Sequence, residues 1–464
     1  MPVLAFSNSR MRSRRHVSEP PSPGFTPVRV DLVEIGSPLP PLPSEDPETG
    51  VSYSSSLCLV RLHGRPLGLI ELDLPAGGIP AEQLAARIEG ELSEQVGQHL
   101  SADGFPPSEL TADGLAAPDQ PRCIAAREQL LTRAPTVSVV IITRDRPARV
   151  RATVRSILAG RYPKDRYEVI VVDTPSESGT LSLSAEDEDL DGQVPIRVVE
   201  ESRPGVSRGR NTGLDQAGGE FVVFADDDVD VDPNWLATSI SAFGEGDHVG
   251  ASSGMTLPGA LATPSQRWFE GFGGLQRGFE TRVYDINEPP PDQPLFPFAV
   301  GELGSGRSMA FRRDLLKELG GFDLALGPDT PTLAGEDIEA LWRVLLSGWE
   351  VVHEPAAIVW HEHPAHYEML RRRMWGYGVG LTACLTKGVT QHPELLTNLV
   401  RKLPRGLAFA LSPKSDKNRK RQRDYPPELI RLELLGLAYG PIAYSRSRWQ
   451  RRSRNADGDA RRSH

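Results

Sequence analysis

Over residues 1–48 apolar positions show no sustained period. Pro and Ser are frequent, Arg10, Arg12, Arg14 and Arg15 are scattered among them, and the pattern predicts a disordered N-terminal arm. From Val51 the text changes. "SSLCLVRL" and "LGLIELDL" flank the turn residues His63, Gly64, Arg65 and Pro66 and read as two strands of a hairpin. Pro80 suits the first turn of a helix in which Leu84, Ile88 and Leu92 recur every four residues. Residues 49–120 are therefore expected to be a small β-β-α accessory module with a linker marked by Pro106, Pro107, Pro118 and Pro121.

The next pattern differs in kind. "VSVVIIT" (137–143) is a continuous β-branched run of the sort found in strands buried on both faces. A helical stretch with Val150, Val154, Ile157 and Leu158 follows, then the strands "YEVIVVD", "IRVVE" and "EFVVFADDD". Strands alternating with helices predict an α/β domain with a mostly parallel sheet. In such sheets ligands bind outside the carboxyl ends of the strands, where Thr143, Asp173 and Asp226 fall.

With 464 residues the chain has room for about three units at roughly 150 residues each. The formal charge of −10 is an average. Residues 401–464 hold 17 Lys and Arg against 6 Asp and Glu, which leaves −21 on the first 400. An acidic body with a basic tail points either to an anionic partner for the tail or to a solvated, disordered end. Cys58, Cys123 and Cys384 lie far apart with no CxxC pair, which argues against a disulfide framework or a Cys-based zinc site and for a reducing compartment. Without an apolar run of about 18 residues or a secretory leader, a soluble, cytoplasmic protein is expected.

Four constellations carry candidate chemistry. In "FADDDVDVDP", Asp226, Asp227, Asp228, Asp230 and Asp232 follow an apolar strand. Carboxylates so close repel one another unless solvent or a hard cation compensates. A calcium loop of EF-hand type is excluded, because counting from Asp228 the sixth position is Pro233 and the twelfth Ser239. "GEDIEALWRVLLSG" puts Glu336 and Asp337 in the first turn of a helix, where they serve either the helix dipole or, beside a metal cluster, a general base. "PGVSRGRNTGLDQAGG" places Arg208, Arg210 and Asn211 on a Gly-rich helix entry suited to phosphate, or simply exposed on a capped helix. "VWHEHPAH" carries His361, His363 and His366. It is not the HExxH helix, since residue 365 is Ala and Pro364 intervenes, but residues two apart on an extended chain share a face.

Taken in chain order, "VSVVIITRDRP", "EVIVVD", "GRNTGLDQAGGEFVVFADDDVDVDPNWL", "GSGRSMAFRRDLLKELGGFD" and "GEDIEALWRVLLSGWEVVHEP" resemble the inverting glycosyltransferases of family 2, which have the GT-A fold. The resemblance covers roughly residues 135–388 and is carried by five segments in one order. It implies that Asp173 contacts the nucleotide base with Thr143 beside it, and that Arg210, with Asn211, faces the base or the diphosphate. Asp226 and Asp228 would form the DxD, the first near the ribose and the second on Mg²⁺ or Mn²⁺, with Asp227 among the nucleotide-sugar contacts. Asp337, with Glu336 beside it, would deprotonate the acceptor hydroxyl, and His361 would complete the metal shell. Gly304, Ser305, Gly306, Ser308 and Trp342 would shape an acceptor pocket. The strand end "DTPSESGT" departs from the family's usual Asn or Gly-rich run.

The partners so implied are a nucleotide-diphosphate sugar and a carbohydrate or lipid-linked acceptor. "RRRMWGYGVG" and the tail helix "PELIRLELLGLAYG" combine basic residues with an apolar face, which suggests peripheral contact of residues 389–464, a basic helical or disordered tail, with the inner face of an anionic membrane. Nucleic acid is not expected, because aromatics are few among the tail arginines. Three other classes were weighed. A sugar-nucleotide-forming nucleotidyltransferase would need a Gly-rich loop where "TRDRPARV" stands, and a dinucleotide oxidoreductase would need GxGxxG there. A catalytically silent sugar-binding scaffold is disfavoured by the intact Asp226, Asp228 and Asp337.

Overall fold

The computed structural model describes residues 25–115, 117, 119–174, 193–244, 246, 248–272, 277–412, 414–419 and 421–462. Two sheets organise the chain. The first is three-stranded, from β1 (Val28–Glu34), β2 (Ser55–Leu62) and β3 (Arg65–Asp73), in that order. β1 runs parallel to β2, and β2 and β3 form the expected hairpin. The helix α1 (Ala81–Asp103) covers the sheet, burying Leu84, Ile88, Leu92, Val96 and Leu100. Gly68 of β3 makes room for Leu92, whose Cδ2 lies 2.5 Å from where a Cβ would stand. A short helix, α2 (Arg122–Thr132), leads out of the module.

β1 corrects the expectation of a disordered arm reaching to residue 48. Val28, Val30 and Leu32 do alternate, but they lie in Pro- and Ser-rich text whose composition hides a single short strand. The first 24 residues of that arm lie outside the described residues.

The second sheet has nine strands. β4 (Val137–Thr143), α3 (Pro147–Leu158), β5 (Tyr167–Asp173), β6 (Ile196–Glu200), α4 (Val206–Gln216) and β7 (Phe221–Asp226) form its first half. β8 (Val229–Val231), α5 (Trp235–Ser241), β9 (Val249–Pro258), α6 (Pro264–Gly271) and β10 (Arg282–Tyr284) follow. β11 (Ser308–Arg312), α7 (Arg313–Glu318), α8 (Glu336–Leu346) and β12 (Glu350–His361) complete it. The order is β10-β12-β9-β11-β7-β4-β5-β6, with β8 paired to β12.

The sheet is mixed. β7, β4, β5 and β6 are mutually parallel, as are β9 and β12, whereas β11 runs antiparallel to both β7 and β9. The continuous apolar runs follow from burial on both faces. Val139 and Ile141 of β4 belong to the hydrophobic cluster that includes α3 and α5 on one side; Val140 belongs to the cluster on the other, with Leu214 of α4 and Leu341 and Leu345 of α8. On α4, a Cβ at Gly209 would stand 2.8 Å from Ile142 and one at Gly213 would stand 2.3 Å from Val140. These glycines of the "RGRNTG" run serve close helix-to-sheet packing, not the approach to phosphate that the sequence suggested.

The tail is helical: α9 (Tyr367–Gln391), α10 (Leu395–Leu411), α11 (Asp416–Arg419) and α12 (Pro427–Arg462). Gly378 of α9, with Gly436 and Gly440 of α12, forms a seam. A Cβ at Gly378 would stand 2.1 Å from the Glu433 carbonyl, and one at Gly436 2.5 Å from that of Trp375. Of the glycines of "RRRMWGYGVG", Gly378 faces α12 while Gly376 and Gly380 face Leu333 and Ala334 in the loop before α8, so the lipid-facing role expected of that segment does not fit them. No helix among the described residues is long and apolar enough to cross a membrane.

Candidate active site

Ladder register brings the candidate residues to one edge. Thr143 at the end of β4 lies opposite Asp173 at the end of β5, and Ile142 lies opposite Asp226 at the end of β7. β11 runs the other way, so its first residue, Ser308, faces Ala225 and the turn before it, Gly304–Arg307, arrives at the same edge. The last residue of β12, His361, pairs with Val229 and Pro258.

The five aspartates divide by direction. Thr143 Oγ1 donates to Asp227 Oδ2 at 2.7 Å, and Arg146 donates to Asp227 at 3.0 Å and to Asp228 at 3.2 Å. Burial pushes the Asp227 carboxyl up to about 6 against the pull of Arg146. Burial, and then the charge of Asp226, also raises Asp228. Asp226 is about one-third exposed in its side chain. Asp230 sits in β8, opposite Trp360, and Asp232 turns away from the edge, its Oδ2 2.5 Å from Arg61 of the small module.

Arg210 ties the edge together. Its guanidinium donates to Glu336 at 2.9 Å and to Asp226 at 3.4 Å and lies over the Phe322 ring, 5.4 Å from its centroid. Burial and neighbouring Asp337 push the Glu336 carboxyl up to about 7, while Arg210 opposes the shift. Glu336 and Asp337 open α8 after Gly335, whose φ of +100° and close approach to the Gly380 carbonyl both exclude a side chain. Asp337 Oδ2 accepts the Gly306 N–H at 2.7 Å, so the carboxylate meets the turn before β11. A Cβ at Gly306 would stand 2.3 Å from Arg210 and 3.2 Å from the Asp337 Cβ; only glycine lets this turn come so near.

The histidines form a relay. His361 Nε2 lies 3.7 Å from Asp228 Oδ1, its Nδ1 lies 3.0 Å from Nδ1 of His363, and His363 Nε2 lies 3.0 Å from Glu270 of α6. Burial, reinforced by Arg307, holds His361 well below its ordinary value, so it is neutral with a lone pair to offer. His366 stands apart, exposed, at the start of α9.

Three expected site residues do other work. Asn211 donates to the Phe322 carbonyl and accepts its N–H, which pins a loop and leaves the amide engaged on both sides. Ser308 accepts from Trp235 Nε1 at 2.9 Å inside the sheet. Trp342 is only 1% exposed and packs edge-on against Phe298, with its six-membered ring where a Cβ on Gly388 would be. The pocket expectation for Ser308 and Trp342 is corrected accordingly: both belong to the core, Trp342 because α8 turns that face inward and Ser308 because β11 points it at Trp235 of α5.

Arg146, Arg149, Arg307 and Glu270 escaped assignment from sequence, and His363 was singled out there without a role. Arg307 is buried, donates to the Tyr377 hydroxyl at 3.2 Å and acts on the charges of Asp226 and Asp228. Its position between Gly306 and Ser308 was the available signal. For Arg146 and Arg149 the signal was their place just after the first strand end.

The edge lies within a segment that matches known proteins. Residues 134–378 match the family model "Glycosyltransferase like family 2". Glycosyltransferase AglE of Haloferax volcanii is 30% identical over 144 residues, 31% of this chain and 46% of that protein. The pre-mycofactocin glycosyltransferase of Mycobacterium tuberculosis is 25% identical over 265 residues, 57% and 50% respectively. The chain thus spans about half the length of these curated relatives. A solved mannosyltransferase of Pyrobaculum calidifontis, in complex with GDP-Man and Mn²⁺, covers 70% of this chain and 82% of its own at 16% identity and a TM-score of 0.37. With more than half of its residues matched by the family model, the chain belongs to the family-2-like glycosyltransferases, the α/β GT-A class.

Proposed function

We propose that the protein transfers a sugar from a nucleotide-diphosphate sugar to an acceptor hydroxyl in one displacement with inversion. The observation that carries the reading is the Asp337 carboxylate, held by the Gly306 N–H and joined through Arg210 and Glu336 to Asp226. A base and an acidic, arginine-lined donor edge are thereby linked in one network.

A divalent cation, Mg²⁺ or Mn²⁺, fits the donor set. Asp228 and the neutral His361 would hold it, with Asp226 near the ribose; oxygen donors with one imidazole suit Mn²⁺ especially. When bound, the cation offsets negative charge that collects on the departing diphosphate. The chain's own residues do the rest. Asp173 and Thr143 flank the nucleotide, and Arg146, Arg149 and Arg307 supply further positive charge for the phosphates. Asp337 takes the acceptor proton as the hydroxyl oxygen bonds to the anomeric carbon. The bond from that carbon to the diphosphate oxygen breaks, and its electron pair leaves with the nucleoside diphosphate. Glu336 positions Arg210, and the turn Gly304–Gly306 bounds the acceptor side. No covalent sugar intermediate is needed.

The acceptor is read as a glycan or a lipid-linked glycan. Leu396, Val400, Leu403, Leu407 and Leu411 of α10 recur every three to four residues, and each is at least half exposed. With Arg401, Lys402 and Arg405 beside them, they make the surface that suits an anionic membrane, in place of the α9 segment.

The test is a panel of UDP-, dTDP- and GDP-sugars with Mn²⁺, Mg²⁺ or EDTA, reading nucleotide release and binding. One donor should be turned over, and EDTA should stop it. Binding of none of them overturns the reading. Binding of a donor, with no release across a panel of glycan and lipid-linked acceptors, would leave a sugar-binding scaffold instead.

A further inference from the structure

Away from the aspartate edge, the small module gathers His63, His99, Asp103 and Cys123, whose ligand atoms all lie within 4.8 Å of one another. Asp103 Oδ2 is the shared point. It lies 2.7 Å from His63 Nδ1, 3.1 Å from His99 Nε2 and 3.0 Å from Cys123 Sγ. The two imidazole nitrogens are 3.2 Å apart, and Cys123 Sγ is 3.8 Å from His99 Nε2. We propose that these four side chains are a structural zinc site that fastens the accessory module together.

The geometry suits the ion. Zinc bonds of about 2.0–2.3 Å in a tetrahedron set neighbouring ligand atoms about 3.3–3.7 Å apart; the five spacings here run from 2.7 to 3.8 Å, so zinc would spread the ligands around Asp103 by a few tenths of an ångström. The donors suit it as well, since one sulfur and two imidazoles disfavour Mg²⁺ and Ca²⁺, which take oxygen. Charge closes the argument. A thiolate, a carboxylate and two neutral imidazoles around Zn²⁺ sum to zero, the balance that a nearly buried site requires. The side chains of His63, His99 and Asp103 are all at most one-tenth exposed.

Each ligand is aimed by a separate device. His63 and Gly64 form the two-residue β2–β3 turn with φ of +56° and +83°, and Glu34 accepts both of their N–H groups, at 2.8 and 3.0 Å. His99 and Asp103 are four apart on the last turns of α1 and share a face. Cys123 begins α2, and its backbone N–H donates to Asp103 Oδ1 at 2.8 Å, which orients the carboxylate from behind. Cysteine spacing argued against a Cys-based zinc site because it registers only local pairs. This one draws its ligands from three elements far apart in sequence. Zinc here would join the hairpin, α1 and α2 to one another. Arg61, next to the same turn, reaches Asp232 behind the aspartate edge.

The full-length protein, stripped by dialysis against a strong chelator, is titrated with Co²⁺ as a spectroscopic probe. One equivalent should give the intense visible bands of tetrahedral cobalt and a near-ultraviolet thiolate-to-cobalt band, and Zn²⁺ should displace both. The aspartate edge contributes no sulfur, so the thiolate band reports Cys123. Cys123→Ser should abolish the band, and His99→Gln should weaken zinc by more than the roughly 10–100-fold typical of outer-shell changes. Zinc should also raise the Tm of the stripped wild-type chain but not that of Cys123→Ser. A folded wild-type chain that shows no thiolate band, or a band unchanged in Cys123→Ser, would overturn the site. The wild-type titration decides the matter even if a variant fails to fold.

Discussion

The aspartate edge of the large sheet and the His63 corner of the small module differ in every property that governs how a cation would behave there. At the edge the donors are mainly carboxylates, Asp226 is partly open to solvent, and Arg146, Arg149 and Arg307 crowd the anions. At the corner the donors include sulfur and two imidazoles, the ligands are buried or half-buried, and their charges would cancel those of Zn²⁺. An open, charged site exchanges its contents and serves chemistry; a closed, neutral one keeps its ion and serves the fold. Removing a partly open carboxylate from the edge should therefore cost turnover with little stability, and removing a ligand from the corner should do the reverse; Arg210, buried behind the edge, is the exception.

The largest expected effect is at Asp337. Asp337→Asn keeps size and one of the two backbone N–H bonds that the carboxylate accepts, from Gly306 and Ile338, but cannot take the acceptor proton, so turnover should fall about 10²–10⁴-fold, the range for lost general-base catalysis. Nucleotide affinity, read by calorimetry, should change only slightly, and the Tm should stay near that of the wild type. Wild-type turnover in this variant would end the base assignment.

Next in size is Arg210. It is buried between Glu336 and Asp226, so Arg210→Met leaves Glu336 without its counter-charge. Breaking a buried pair from one side costs about 3–5 kcal/mol, which urea unfolding would register as a lower midpoint. Arg210→Met together with Glu336→Gln should recover much of that loss, because the uncompensated charge is then gone. If the double variant is no more stable than Arg210→Met, the two residues are not a coupled pair.

Smaller still in its effect on stability is chelation. EDTA should abolish nucleotide release and Mn²⁺ should restore it, with little change in Tm, because the edge is open. A chelator strong enough to strip the corner should lower the Tm as well. A Tm that falls in step with activity as weak chelator is added would erase the distinction between the two sites.

Much of the large sheet was legible because its strands are buried on both faces, a demand that only long apolar runs such as 137–143 satisfy. The strand-end polar residues Thr143, Asp173 and Asp226 were legible for the same reason: each interrupts such a run. Periodicity identifies which residues share a face but not what that face meets. Hence Trp342 and Ser308 read as pocket residues and proved to be core, and Asn211 read as a ligand contact and proved to pin Phe322. The His63 corner was illegible for a stronger reason. His63 and Cys123 are brought together only once the hairpin, α1 and α2 have folded, and no local spacing encodes that.

The smallest effect tests how the two regions are joined. Arg61 sits next to the His63 turn, and its guanidinium reaches Asp232, a residue 1% exposed that also accepts the Asn234 N–H at 2.8 Å. Arg61→Ala leaves that carboxylate short of a partner, a cost of about 1–3 kcal/mol. The Tm should drop by several degrees. Both metal responses should persist, because Arg61 supplies no ligand to either site, and turnover should fall only slightly, because Asp232 faces away from the edge. A loss of turnover as large as that of Asp337→Asn would mean that the module positions the aspartate edge, and that the two regions cannot be treated as separate.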